Sequence, residues 1–370
     1  MRLKTDLTTL AMWAIGGVIL LAIVIGSVAT LRAGGLSARA WRDLVVFGLA
    51  QGSLYALIAL GYTLVYGILR MINFAHGEVF TAGAFTAYFA AVPLFSSPRF
   101  NGRAGELPLV GGLVAAMGPE HPVIVGVKLL LLLAVSMGAS VTVAVLLERI
   151  AYRPLRRAPR LVPLITAIGA SIFLQYTFAG LYGSNPQTYP DVPLLAGKTT
   201  VLGVEILRAQ LLVIVAAALL MAVLVFLVQY TRTGQAMRAV SEDKDTAALM
   251  GIDVDAVIVR TFIVGGALAG AAGLLYALLN KQVHFYMGFQ PGLKAFTAAV
   301  LGGIGNVPGA MLGGLFLGLF ESVGPSLFLQ GLKIPAAYQL KDAIAFTMLV
   351  LILIFRPTGI LGERLGAKRA

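Results

Sequence analysis

The chain has 370 residues, of which 59% are apolar and only 12% charged, with a mean hydropathy of +0.90; a soluble chain carries about 25% charge. No water-soluble fold hides so much hydrocarbon, and the absence of cysteine excludes disulfides, thiolate metal sites and a cysteine nucleophile. The net charge of +12 sits mostly between hydrophobic runs, where the positive-inside rule and anionic lipid headgroups account for it, so no nucleic-acid partner is expected.

The chain is therefore read as all-α, a polytopic membrane helix bundle. A crossing needs about 20 apolar residues, and uncharged runs of suitable length occur at 10–31, 44–69, 79–95, 129–147, 161–182, 211–230 and 261–280. A longer run, 295–320, is broken in its middle, and 343–355 closes the series as a short span. This gives eight to ten membrane segments, depending on whether the broken run counts twice. The first run follows Arg2 and Lys4 as in a secretory signal. Its apolar stretch exceeds the usual ~7–15 residues and no clear cleavage site follows at once, so a retained first span is expected.

Two interruptions resemble one another. The first, 67–78, reads Gly-Ile-Leu-Arg-Met-Ile-Asn-Phe-Ala-His-Gly-Glu; the second runs from Gly302 to Gly309 and contains Gly305, Asn306 and Pro308. Non-helical backbone at membrane depth is tolerated only inside protein or along a watery cavity. Paired Gly/Pro-interrupted segments in two halves point to an internal repeat around a transport path. Each break alone also reads as an ordinary turn at a membrane face. The path candidates are Asn73, His76, Glu78, Gly302, Gly305 and Asn306, together with Gln175 inside a span. An ionisable residue within a span is by default a functional-site hypothesis. Glu78 also reads as a carboxylate stabilised at a helix start, and Gln175 and Gln51 as hydrogen-bonding glue between helices.

The cluster Arg149–Arg160 places five Arg in twelve residues beside two spans and sets that connector, and both termini, in the cytoplasm. Arg32, Arg39 and Arg42, in the connector after the first span, oppose that vote. No catalytic constellation emerges. His76, His121 and His284 are far apart in sequence, and Val192 stands where a phosphate-binding loop ending in Gly197-Lys198-Thr199 would need its first glycine. No enzyme activity, metal or cofactor is expected of this chain.

One cytoplasmic connector differs from the rest. Residues 231–256 hold five of the sixteen acids, namely Glu242, Asp243, Asp245, Asp253 and Asp255. Met237, Val240, Ala247, Ala248 and Met250 recur at helical spacing, Ser241 suits an N-cap, and Gly251 suits a helix end with positive φ. The pattern predicts a short amphipathic helix whose apolar face docks on something, either a partner or its own membrane domain.

The segment 235–252 resembles the loop with which ATP-binding-cassette permeases dock a coupling helix into their ATPase. The wider chain resembles the LivH-type permeases of branched-chain amino acid importers. The matching stretches are 52–67 (Gly-Ser-Leu-Tyr-Ala-Leu-Ile-Ala-Leu-Gly-Tyr-Thr-Leu-Val-Tyr-Gly), 71–78, 148–156, 164–169, 294–305 and 357–362. The resemblance implies a permease domain over 44–370, with 1–43 as an additional N-terminal span and connector; the long connector 96–122 also looks like an addition. It further implies a sister permease (LivM-like), two cytosolic ATPases, an extracytoplasmic binding protein and a bacterial or archaeal inner membrane. Arg238, Glu242, Asp243, Asp245 and Gly251 would form the coupling element. The alternative is a self-sufficient secondary carrier or channel using Glu78 or His76 as a proton site.

Overall fold

The computed structural model describes residues 7–96, 121–156, 158–159, 161–201, 203–356 and 358–362; most of the connector 96–122 and the last eight residues lie outside that range. Helix α1 (Leu7–Ala33) is followed by α2 (Ala38–Leu69), α3 (His76–Ser96) and α4 (Pro122–Leu146), the last continued by a π-turn over Leu147–Tyr152. Next come α5 (Leu161–Tyr182), strands β1 (Gln187–Thr188), β2 (Lys198–Val201) and β3 (Val204–Leu207), and α6 (Arg208–Tyr230). Two short helices, α7 (Arg232–Glu242) and α8 (Lys244–Leu249), lead to α9 (Val254–Asn280) and β4 (Gln282–Val283). Helices α10 (Phe289–Gly302), α11 (Val307–Gly324) and α12 (Lys341–Phe355) complete the chain.

Among the described residues, nine helices are long and apolar enough to cross a membrane, and every predicted run falls on one of them or on α10. Length explains why α10 is not a tenth: 14 residues rise about 21 Å, short of a ~30 Å hydrocarbon core. The non-helical segment 281–288 supplies the rest, so the described helices pass ten times between the two ends.

The ends differ in charge. At one, Arg70 donates to the Ser241 carbonyl at 2.9 Å, Arg153 pairs with Asp255 at 2.5 Å, and Arg156 bridges Asp255 and Glu148. The opposite end carries the β1–β4 and β2–β3 pairs, Arg39–Glu205 at 2.6 Å and Lys281–Asp191 at 2.6 Å. The arginine-rich end is the cytoplasmic one by the positive-inside rule.

Burial separates a core from a ring. In their most apolar stretches α2 and α9 are 67% and 72% buried, whereas α4, α5 and α6 reach 22% and α1 and α12 only 17%. The outward faces carry Leu130, Ile165, Phe173, Leu219 and Phe226, which is the composition lipid requires. Helix α1 stands at the periphery, its Gly26 against the Phe328 backbone.

The internal repeat exists, but its second member is not the one expected from glycine and proline. Helix α2 ends on Arg70 (φ 55°, ψ 29°), whose N–H returns to the Tyr66 carbonyl; α9 ends on Lys281 (φ 54°, ψ 26°), whose N–H returns to Ala277. Six residues later the turns coincide again. His76 N donates to Asn73 and Glu78 N to Ala75, while Met287 N donates to His284 and Phe289 N to Tyr286. Gly77 and Gly288 then meet face to face: a Cβ on Gly77 would lie 2.5 Å from the Gly288 carbonyl oxygen, and one on Gly288 would overlap that of Gly77. The unit α2–break–α3 is thus repeated with opposite membrane orientation by α9–break–α10. The counterpart of the first break is 281–288, with one glycine and no proline, so glycine and proline density pointed elsewhere.

The second break is instead the turn between α10 and α11 at the cytoplasmic end. Asn306 is the N-cap of α11, its Oδ1 accepting from Gly309 N at 2.9 Å, and Pro308 sits in the first turn where no N–H partner is lost.

Candidate translocation and coupling sites

The cytoplasmic connector folds as two helices rather than one, because Asp243 leaves the helical region (φ −150°, ψ 113°) and caps the second. Its Oδ1 accepts from Asp245 N at 2.9 Å and Thr246 N at 3.1 Å. The expected cap, Ser241, lies inside α7 and donates to the Arg238 carbonyl; Thr231 caps α7 through Gly234 N. Gly251 has φ +82°, as expected, and the Ile252 N–H reaches back to Ala247, the wider hydrogen bond of a Schellman end.

The apolar face points inward. Met237, Val240 and Ala247 are buried against the protein's own helices, so this face is already covered. The tip is exposed, with Leu249 87% and Met250 79% open to solvent, and around it lie the acids Glu242, Asp243 and Asp245. Arg238 turns away from the tip and donates to the Val228 and Gln229 carbonyls at the end of α6. Lys244 lies between the tip and the bundle, where burial first, then the charges of Arg156 and Arg70, hold its ammonium below the ordinary lysine range.

A short path links this element to the first break. Arg70, the C-cap of α2, donates to the Ser241 carbonyl in α7. Three residues on, Asn73 is buried and its Oδ1 accepts from Tyr152 Oη in the π-turn after α4, at 2.5 Å. His76 opens α3 with its imidazole filling the space left by Gly61, edge-on to Tyr62 at 4.9 Å.

Glu78 is fully buried. Its Oε1 accepts from Gln175 Nε2 at 3.0 Å and Ser171 Oγ at 3.4 Å, tying α3 to α5. The structure therefore brings Glu78 and Gln175 together. Glu78→Leu leaves the buried Ser171 and the half-buried Gln175 without their acceptor and is expected to destabilise the bundle by about 1–3 kcal/mol. Glu78→Gln keeps an acceptor in place and is expected to stay within about 1 kcal/mol of the parent; heat-induced loss of the monodisperse peak in detergent measures both.

Gly302, Gly305 and Asn306 are not part of that cluster. Gly302 and Asn306, with Leu301, hold the C-terminal segment at the cytoplasmic end: Ile360 N donates to Leu301 O at 2.8 Å, Leu361 N to Gly302 O at 3.0 Å, and Asn306 Nδ2 to Leu361 O at 2.9 Å; Gly305 lies in the same turn with φ +97°.

A second polar cluster was not foreseen from sequence. Lys294 Nζ lies 2.6 Å from Glu321 Oε1 and 2.6 Å from Asp342 Oδ1, with Lys294 and Glu321 both buried. The ammonium stands 5.7 Å from the centre of the Tyr55 ring. Lys294 and Glu321 flank the run 295–320 and look interfacial if that run is one span. The turn at 303–306 folds the run back on itself and sets its two flanks side by side. Lys294 is eight residues, about 12 Å of helix rise, from the α10 end, well within the membrane. The pair lines a cavity of about 430 Å³ together with Gln51, Tyr276, Asn280 and Lys341.

Comparison with known proteins agrees with this architecture. The family model for the permease component of branched-chain amino acid transport systems matches residues 44–353. The high-affinity branched-chain amino acid transport system permease protein BraD of Pseudomonas aeruginosa is 42% identical over 324 residues, covering 86% of this chain and 95% of that protein. LivH of Escherichia coli K12 is 39% identical over 319 residues, 85% of this chain and 94% of its own. A probable LivH permease of Methanocaldococcus jannaschii is 27% identical over 322 residues, covering 84% and 89%. No solved structure matches. With most of its length shared with such relatives and nine apolar helices to cross the bilayer, this chain belongs to the family of permease components of branched-chain amino acid transport systems.

Proposed function

We propose that this chain forms half of the membrane path of an ATP-binding-cassette importer for branched-chain or related hydrophobic amino acids in the cell inner membrane. It pairs with a sister permease of LivM type, two cytosolic ATPases hydrolyse ATP, and an extracytoplasmic binding protein delivers substrate. The observation that carries this reading is the α7–α8 tip, with Leu249 and Met250, 87% and 79% exposed, standing among acids at the cytoplasmic end. Two adjacent bare apolar side chains in water suit a docking knob in a partner's cleft.

The mechanics follow from the contacts. A displaced α7 moves the Ser241 carbonyl, and Arg70 carries that movement to the end of α2, where the helix is already interrupted. Asn73 and Tyr152 then couple the break to α4, and the following residues open α3. The moving part is short and non-helical, as a hinge between two packed helices requires. ATP binding shifts the equilibrium between outward- and inward-open states only through the difference in how the ATPases hold the tip in each.

The test is ATP-driven uptake. The chain is reconstituted in liposomes alone, and with its co-purified partners and binding protein. Uptake of leucine is expected only in the complete system and only with ATP inside. Leucine movement by the chain alone, driven by a proton gradient and lost in Glu78→Gln, would establish the carrier reading instead.

A further inference from the structure

From the Lys294 cavity we infer a second recognition site for the transported molecule, within the permease itself, that reads both charges of a free amino acid. The inference rests on the importer reading above and assigns the substrate contact within it.

The lining has a specific charge arrangement. Lys294, Lys341 and Glu321 line the cavity, and Asp342, outside the lining, pairs with Lys294, so the cluster of four is neutral as a whole while offering both signs close together. Two residues that line this space each keep a buried side-chain oxygen without a hydrogen-bond partner: Glu321 Oε2, on a residue 8% exposed, and Gln51 Oε1. A buried acceptor without a donor is costly, and both would accept from an ammonium group. Lys294, between two carboxylates, has a third N–H for an incoming carboxylate. Leu44, Phe47 and Pro291 supply apolar wall for an aliphatic side chain.

The size is also suitable, since ~430 Å³ lies in the range of small-molecule sites. The cavity is bordered by the first part of α2 (Leu44), the last residue of α9 (Asn280) and the first of α12 (Lys341). All three belong to the extracytoplasmic end, where delivery would occur. Its floor, Pro291 and Lys294, belongs to α10, the short helix that follows the 281–288 break.

The arrangement selects for a zwitterion by a physical argument. A free amino acid adds one charge of each sign and leaves the four-residue cluster neutral. An amine or a carboxylic acid alone would leave one uncompensated charge in a largely buried place, which is strongly unfavourable.

The experiment uses the assembled importer in lipid nanodiscs without the binding protein. Saturable binding of radiolabelled L-leucine is measured, with isopentylamine and 4-methylpentanoate as single-charge competitors. Leucine is expected to bind and to be displaced by unlabelled leucine, but by neither competitor at tenfold higher concentration. Gln51→Leu and the paired Lys294→Met/Glu321→Gln are each expected to weaken binding tenfold or more. The paired variant removes both buried charges together and leaves only the half-buried Asp342 without its partner; if it fails to assemble, Gln51→Leu alone decides. Absence of saturable binding to the wild type, equal binding by the variants, or displacement by isopentylamine as effective as by leucine would overturn the site. ATP-driven uptake with the binding protein is measured in parallel. Normal wild-type uptake beside any of those results rejects the site and keeps the importer reading; no ATP-driven uptake by the wild type rejects the importer reading.

Discussion

Leu249→Glu combined with Met250→Glu is expected to abolish ATP-driven uptake and strip the ATPases from the purified permease, while the membrane domain remains folded. Both side chains are almost fully exposed, so the bundle loses no packing. In the proposed complex they are buried, at about 1.5–3 kcal/mol for each apolar side chain. The two together correspond to a factor of at least ~100 in association. Adding two carboxylates next to Glu242, Asp243 and Asp245 lowers it further by like-charge crowding. Affinity capture of the permease followed by immunodetection of the ATPases gives the association readout, and gel filtration in detergent gives the folding control. Glu242→Lys is the milder companion, changing charge at the rim of the knob without touching its apolar tip; a reduction of about tenfold or less is expected. Undiminished co-purification and uptake in the double variant would remove α7–α8 from the coupling path.

Gly288→Ala is expected to be among the most damaging single substitutions in the membrane domain. Backbone conformation is not the reason, since Gly288 has φ −82° and ψ −18°, which alanine adopts readily. The added methyl would overlap the Gly77 carbonyl oxygen and lie 2.7 Å from the Gly77 carbonyl carbon. Those atoms belong to a helix start held by its own hydrogen bonds, and cannot retreat like the end of a flexible side chain. Overpacking of this kind destabilises by about 1–3 kcal/mol, and the site is the crossing point of the two repeats, so both breaks shift together. Gly251→Ala is the contrast: it meets nothing within 4 Å, and only its φ of +82° opposes the side chain, for a local effect of about 1 kcal/mol. Heating in detergent and following the monodisperse fraction should rank Gly288→Ala well below Gly251→Ala. The reverse ranking would mean that the α3–α10 crossing is loosely packed.

Much of the α7–α8 segment was legible because its signals are local. Gly251 at a helix end and the apolar spacing of Met237, Val240 and Ala247 follow from sequence and recur in the structure. The direction of the apolar face did not follow, since periodicity states that a face exists and not what covers it. The split at Asp243 was missed for a related reason: Ser241 and Asp243 are both good caps, and the choice depends on where α7 meets the end of α2.

The sequence by itself determined that the chain is a helical membrane bundle, where its spans lie and which family it resembles, because hydropathy and motif content are summed along neighbouring residues. Only the tertiary structure decided that 281–288 repeats 70–77, that Gly77 meets Gly288, and that Lys294 joins Glu321 across a folded-back run. Those are relations between residues 27 to 211 positions apart, fixed by how helices of opposite direction pack. A segment without unusual glycine or proline content carries no local sign that it will take part.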